Sequence, residues 1–238
     1  AFARLGIPQR VGCALRGHKD LTEAIAAPVA EGPPQHRVRF YLDLLKTLGI
    51  DGYVPASFLA PALPERPDPP RVALLPGSDL GQSYCWGVER FQELGELLAE
   101  QTGAELLLLA LPGHAGDANE LAALLGDRAR NYANEFGLAE FLDALPYCTV
   151  VVSNDSAGIH LAAHAGVPAI ALFGPGDPEE SRPLGRIHTV VSQHVECAPC
   201  NQGKCPLRHH RCLAELTAER VFHAVRDHLA EQASPTGP

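Results

Sequence analysis

Short apolar runs alternate with longer amphipathic segments along most of this chain. "RVALLP" (residues 71–76), "ELLLLA" (105–110), "CTVVVS" (148–153), "PAIALF" (168–173) and "IHTVVS" (187–192) are nearly continuous in apolar residues and too short for helices. That pattern predicts parallel strands buried on both faces. Between and after them, polar and apolar residues recur at helical spacing over residues 88–101, 117–125, 138–145, 156–165 and 218–231. In the first of these, Phe91, Leu94, Leu97 and Leu98 define one buried face. Strands alternating with helices predict an α/β domain, and right-handed crossovers make it a doubly wound, Rossmann-like parallel sheet from about residue 71 onward. The tail "QASPTGP" (232–238) is expected to fray.

The first seventy residues read differently. "RVRFYLDLLKTLGI" (37–50) predicts a helix, whereas "PALPERPDPP" (61–70) is crowded with proline and reads as a linker. The expected division is therefore 1–70 for the end of a separate N-terminal domain and its linker, and 71–238 for the C-terminal domain.

Composition narrows the classes available. The chain has 238 residues, 46% hydrophobic and 20% charged, which places it among globular proteins. A net charge of −9 with no lysine- or arginine-rich run argues against a nucleic-acid partner. No apolar stretch reaches the ~18–20 residues that span a bilayer, and the N-terminus lacks a signal pattern. The expected location is the cytoplasm, with peripheral association at the inner face of the membrane left open. Methionine is absent even at position 1. The expectation is that translation begins elsewhere, whether the chain is a fragment or modified methionines are missing from it.

Candidate chemistry concentrates where a polar cluster, Ser153-Asn154-Asp155-Ser156, interrupts the buried pattern of "VVVSNDSAGIHLAAHAGVPAIALFGPGDP" (150–178). In open α/β sheets ligands bind beyond the carboxyl ends of the strands, where a helix start offers unpaired N–H groups and the positive end of its dipole to an anion. Asp155 or Ser156 can cap such a helix, Ala157 and Gly158 are small enough for a phosphate to approach, and His160 lies one turn in. An ordinary capped helix has the same layout. Two more glycine-bearing loops, "GSDLGQSYCW" (77–86) and "LPGHAGD" (111–117), should face the same crevice, which favours a nucleotide-type ligand. His160 and His164 share a spacing of four but lack the glutamate of a metalloprotease motif.

Three blocks in order carry a family resemblance: "LPGS" followed by "WGVERFQEL", then "SNDSAGIHLAAHAGVPAIALFGPGDP", then "CAPCNQGKCPLRHHRCLAELTAERV" (197–221). Together they resemble the ADP-heptose:lipopolysaccharide heptosyltransferases, glycosyltransferase family 9, in their heptosyltransferase II branch. The resemblance implies a GT-B architecture of two Rossmann-like domains, the C-terminal one binding the donor. It implies metal-independent, cofactor-free, inverting transfer of heptose from ADP-heptose to the lipopolysaccharide inner core. By position, Asp155, Ser156, Ala157 and Gly158 would hold the diphosphate-heptose, mostly through backbone N–H groups, with His160 supporting the loop. Gly77 and Ser78 would line the phosphate side, and Pro112 and Gly113 the adenosine side. The catalytic base, an acid near the start of the family's N-terminal domain, is not found in this chain, nor is the early Gly-Asp motif.

Two positions depart from the family pattern. Tyr84 stands where a lysine is usual, and supplies a hydrogen bond without a positive charge. His114 stands where an acid is common. These departures keep two alternatives open: a non-catalytic nucleotide-sugar-binding protein, and another GT-B enzyme such as a nucleotide-sugar epimerase, which would prefer a uridine ligand.

Four of the seven cysteines, Cys197, Cys200, Cys205 and Cys212, cluster as C-x2-C-x4-C-x6-C with His209 and His210 between. In a cytosolic chain this favours metal or redox roles over structural disulfides, yet the spacing is not that of a zinc ribbon. Reduced thiols packing beneath the last helix are the simpler expectation, and no metal ligand is assigned. Cys13, Cys85 and Cys148 are expected to be small buried residues.

Overall fold

Six parallel strands order as β5-β4-β3-β6-β7-β8 in the computed structural model, which describes residues 6–13, 20–25 and 35–233. They are β3 (Arg71–Leu75), β4 (Glu105–Leu108), β5 (Ala129–Asn131), β6 (Val150–Asn154), β7 (Ala169–Phe173) and β8 (Thr189–Ser192). The chain builds outward from β3 to β5, crosses back to set β6 against β3, and builds outward again to β8. The adjacent pair β3 and β6 is thus the topological switch point, in register from Val72↔Val150 to Leu75↔Ser153.

Strand residues alternate between two cores. On one face Val72, Leu74, Val150, Val152, Ile170 and Leu172 pack under α2 (Val88–Thr102), α3 (Gly116–Leu125) and α8 (Ala218–Ala233). On the other, Ala73, Leu75, Val151 and Ala169 meet α4 (Leu138–Ala144) and α5 (Ala157–His164). Every residue of β6 and β7 is buried, the polar Ser153 and Asn154 at the end of β6 included. The helix α2 buries Val88, Phe91, Leu94, Gly95 and Leu98, and stops at Gly103 in the left-handed conformation that glycine adopts without strain. A Cβ on Gly95 would stand 2.9 Å from Leu125 Cδ1, so glycine there sets the close approach of α2 to α3.

The predicted strands and long helices are present, with ends shifted by up to three residues, the largest at the predicted helix 37–50, which ends at Thr47. The edge strand β5 and the short helices α6 (Pro178–Ser181) and α7 (Arg211–Ala214) were not predicted; three or four residues show no periodicity to read. The predicted tail, residues 232–238, lies mostly outside the described residues.

Contacts divide the chain into two units, Ala1–Leu59 and Ala60–Pro238. In the first, a parallel pair, β1 (Val11–Cys13) with β2 (Glu23–Ile25), precedes the helix α1 (Arg37–Thr47), which follows the predicted amphipathic stretch. In the second, residues 60–70 form no regular element, in keeping with their prolines.

Candidate functional site

The carboxyl ends of β3 and β6 open into loops that are tied to each other by Asn154. Its Oδ1 accepts from the Trp86 backbone N–H at 3.0 Å, and its Nδ2 donates to the carbonyls of Pro76 and Gly77. The Trp86 indole N–H in turn donates to Leu216 O at 2.8 Å, which fixes the start of α2 against the chain leading to α8. A second tie runs from Ser78 Oγ to the Asp155 carbonyl at 3.1 Å. Both are buried or half-buried hydrogen bonds at a strand end, where an unmet backbone group would be costly.

Ser156 is the cap of α5: its side chain accepts from Gly158 N–H at 3.2 Å. Asp155 has a different task. Its N–H continues the ladder to Leu172 O at 3.0 Å, and its carboxylate fills the space where a Gly176 Cβ would lie, only 2.1 Å from Oδ2. Asp155 is 4% exposed, so it organises the loop after β7 rather than projecting into solvent. Gly158 is also turned inward; a Cβ there would meet Leu75 Cδ2 at 2.6 Å, so its smallness serves helix-on-strand packing. His160 is exposed on α5, within electrostatic reach of His188.

An open pocket of about 570 Å³ lies between the loops after β3 and β4 and the first turns of α2 and α3. Gly77, Ser78 and Gly113 line it, joined by His114, Asp117 and Glu120. A smaller cavity of about 20 Å³ adjoins, where Gly77 and Ser78 meet Ser156. Gly77 is held close to the neighbouring loop: its Cβ position is 3.3 Å from His114 O. Pro112 does not line either space but shapes the turn that does. His114 N–H bonds to Leu111 O at 2.9 Å, with proline second and Gly113 at φ 86° third, the signature of a type II turn.

The structure thus brings Gly77, Ser78, Gly113 and Ser156 to one pocket region, with Asp155, Ala157 and Gly158 behind it and Pro112 in its supporting turn. The sequence reading did not nominate Glu89, Asp117 or Glu120, which also line the pocket and give it acidic walls. The helical spacing of Asp117 and Glu120 on α3 was the available signal. Cys85 departs from expectation: it is half-buried in the pocket wall rather than in the core. The preceding 3-10 turn Gln82–Tyr84 sends Tyr84 and Trp86 inward and leaves the residue between them at the rim. Burial, and then the Asp117 carboxylate, push the Cys85 thiol above its ordinary pKa. Cys148 is buried, as expected, while the Cys13 side chain lies outside the described residues.

The clustered thiols of Cys197, Cys200, Cys205 and Cys212 share one cavity of about 30 Å³ with His209 and His210. Among the described residues, however, no three His, Cys, Asp or Glu side chains stand where they could hold a metal ion. Nor does any helix among those residues have the length and apolarity to cross a membrane.

A doubly wound parallel sheet, with an open pocket beyond the carboxyl ends of β3 and β4 and a small cavity joining it to the switch point, defines a Rossmann-like domain. Residues 50–210 match the model of glycosyltransferase family 9 (heptosyltransferase), and the chain belongs to that family. Lipooligosaccharide heptosyltransferase 2 of Haemophilus influenzae is 30% identical over 170 residues, covering 68% of this chain and 48% of that protein. Among solved structures, the family 9 glycosyltransferase of Veillonella parvula aligns with a TM-score of 0.67 at 18% identity, over 94% of this chain and 68% of that one. Escherichia coli heptosyltransferase WaaC with ADP aligns with a TM-score of 0.58 at 24% identity, over 87% and 60%. The fold is that of the GT-B heptosyltransferases. The chain spans about half the length of the curated relatives it matches.

Proposed function

We propose that this chain forms the donor-binding part of an inverting heptosyltransferase that moves heptose from ADP-heptose to the lipopolysaccharide inner core or a related glycan. The observation that carries this reading is the convergence of the loops after β3, β4 and β6 on the open pocket and the small cavity joining it to the switch point, within a family 9 chain. A relative of the same fold was solved with ADP.

In this reading the adenosine enters the wide part of the pocket, beside the Pro112-Gly113 turn, and the diphosphate lies toward Gly77, Ser78 and the start of α5. The N–H of Asp155 is given to Leu172 and that of Gly158 to the Ser156 cap. We therefore assign the anion contact to the N–H groups of Ser156 and Ala157, at the positive end of α5. Inversion requires the acceptor hydroxyl to lose its proton while it attacks the anomeric carbon in line with the departing diphosphate. No residue of this chain is assigned as that base, and the reading uses no metal or cofactor. It places the protein in the cytoplasm, at the membrane face where such a glycolipid acceptor is reached.

One observation favours a second reading, a nucleotide-sugar-binding protein without turnover. Tyr84 is buried, and the described pocket lining includes Glu89, Asp117 and Glu120 but neither lysine nor arginine. A leaving diphosphate gains no side-chain cation from these walls.

Calorimetric titration with ADP-heptose, ADP, UDP and UDP-glucose tests the donor assignment. Selective binding of the adenosine ligands is expected. Preference for the uridine ligands, or silence from all four at concentrations that detect millimolar affinity, would overturn it.

A further inference from the structure

The Cys-rich stretch has a feature unconnected with its thiols. The backbone of residues 200–203 runs across the loop after β3, which lines the open pocket, and the loop after β7. Toward the loop after β7 it donates twice: Cys200 N–H and Asn201 N–H both reach Pro175 O, at 3.0 and 2.8 Å. Toward the loop after β3 it accepts twice: Ser83 N–H bonds to Gly203 O at 3.3 Å, and Ser83 Oγ donates to Gln202 O. Four hydrogen bonds from four consecutive residues thus bridge Pro175 to Ser83.

The contact is too close for side chains. A Cβ on Gly81 would stand 2.5 Å from Gly203 O, and one on Gly203 would stand 2.8 Å from Leu80 O. Gly81 also has φ 113°, which other residues rarely adopt. The bridged loops meet directly beneath, where the Gly176 Cβ position is 3.3 Å from Tyr84 Cε1 and against the Asp155 carboxylate. Gly81 and Gln82 line the open pocket itself. Ser83 is buried, and both Ser83 and Pro175 border the thiol cavity on the far side of the bridge.

We propose that residues 200–203 are a positioning strap for the donor site: through Ser83, Gly81 and Gly203 they hold the loop after β3 at a fixed distance from the loop after β7, and so set the affinity for a nucleoside diphosphate. The affinity clause rests on the donor reading above; the coupling of the two loops does not. Ser83 and Gly203 touch no ligand in this scheme and act as positioning residues. Cys200 is the first residue of the strap, and its side chain lines one cavity with those of Cys197, Cys205 and Cys212.

The test uses the full chain carrying Ser83→Ala or Gly203→Ala, with Gln202→Ala as the control, since only the backbone carbonyl of Gln202 is used. Amide hydrogen exchange is followed in the segment 172–178, which contains none of the changed residues, and ADP affinity and Tm are measured alongside. Ser83→Ala and Gly203→Ala are expected to speed exchange across the strap and weaken ADP binding, each by about three- to tenfold, the size typical of coupled neighbours. Tm should change little, and Gln202→Ala should match the parent chain in every readout.

If exchange in 172–178 stays at the parent rate in both variants, the strap is overturned, whatever happens to ADP. If exchange responds and ADP binds the parent and variants equally, the loops are coupled but the claim on affinity is overturned. If exchange responds while the parent chain binds no ADP, the strap stands as a loop brace and the donor reading is what fails. Should Gly203→Ala lower Tm strongly, Ser83→Ala, which only deletes a hydroxyl, decides the outcome.

Discussion

Asn154 and Asp155 are neighbours with opposite legibility. Both fall in the polar cluster that marks the end of β6, and both were visible as an interruption of an apolar run. Only the structure separates their tasks, because each depends on a partner about twenty or more residues away in sequence. Asn154 supplies both halves of its amide to the chain that follows β3, so truncation to alanine leaves Trp86 N–H and the Pro76 carbonyl without their partner in a buried site. Asn154→Ala is expected to destabilise the protein by about 2–3 kcal/mol, read as a fall in denaturation midpoint without a change in denaturant slope. Asp155→Ala should act on binding instead. It empties the space against Gly176 and loosens the loop from which Ser156 and Ala157 present their N–H groups. We expect a loss of ADP-sugar affinity of about threefold or more by calorimetry; unchanged affinity would mean that this loop does not hold the diphosphate.

At the scale of elements, the sequence was legible wherever a period could run its course. The strands β3, β6 and β7 are built on the apolar runs 72–75, 150–152 and 169–173 because both their faces are covered, and α2 and α8 repeat over three turns or more. The Cys-rich stretch resisted reading for the opposite reason. Its backbone takes left-handed conformations at Asn201, Arg208 and His210, which no hydrophobic pattern announces. Its spacing suggested metal or redox chemistry, while its backbone bridges two loops. The thiols nevertheless differ in a checkable way. Backbone N–H groups directed at Cys205, that of His210 foremost, hold its pKa below the ordinary thiol value. Burial pushes Cys148 up to about 12, and burial followed by the neighbouring thiolates raises Cys212. Since the thiolate is the nucleophile, alkylation of the folded chain near neutral pH should label Cys205 well before Cys212 and leave Cys148 to the end. Mass spectrometry of a time course would show the order, and early labelling of Cys148 would contradict the packing around β6.

For the molecule as a whole, the pH dependence of stability should carry the mark of one histidine at the far side of the sheet. His188 Nδ1 accepts from Ala169 N–H at 3.1 Å while the ring donates to the Leu184 carbonyl, so the neutral imidazole pins the chain before β8 to the start of β7. Burial lowers its pKa; the Leu184 bond opposes this, and the nearby His228 and His160 reinforce it. Protonation would also remove the lone pair that Ala169 uses. The sign follows from linkage: the unfolded chain binds this proton first, near pH 6.5, so the stabilisation is complete above that value and is lost as pH falls toward the folded-state pKa. Carboxylates held low by their partners, Glu105 beside Arg71 and Glu219 at the start of α8, act in the same direction but only below about pH 4.5. The window between pH 7.5 and 5.5 therefore isolates the histidines. Tm measured across it should fall for the parent chain and fall less for His188→Gln, whose amide oxygen can accept from Ala169 without titrating. Parallel curves for the two proteins would mean that His188 does not carry the loss.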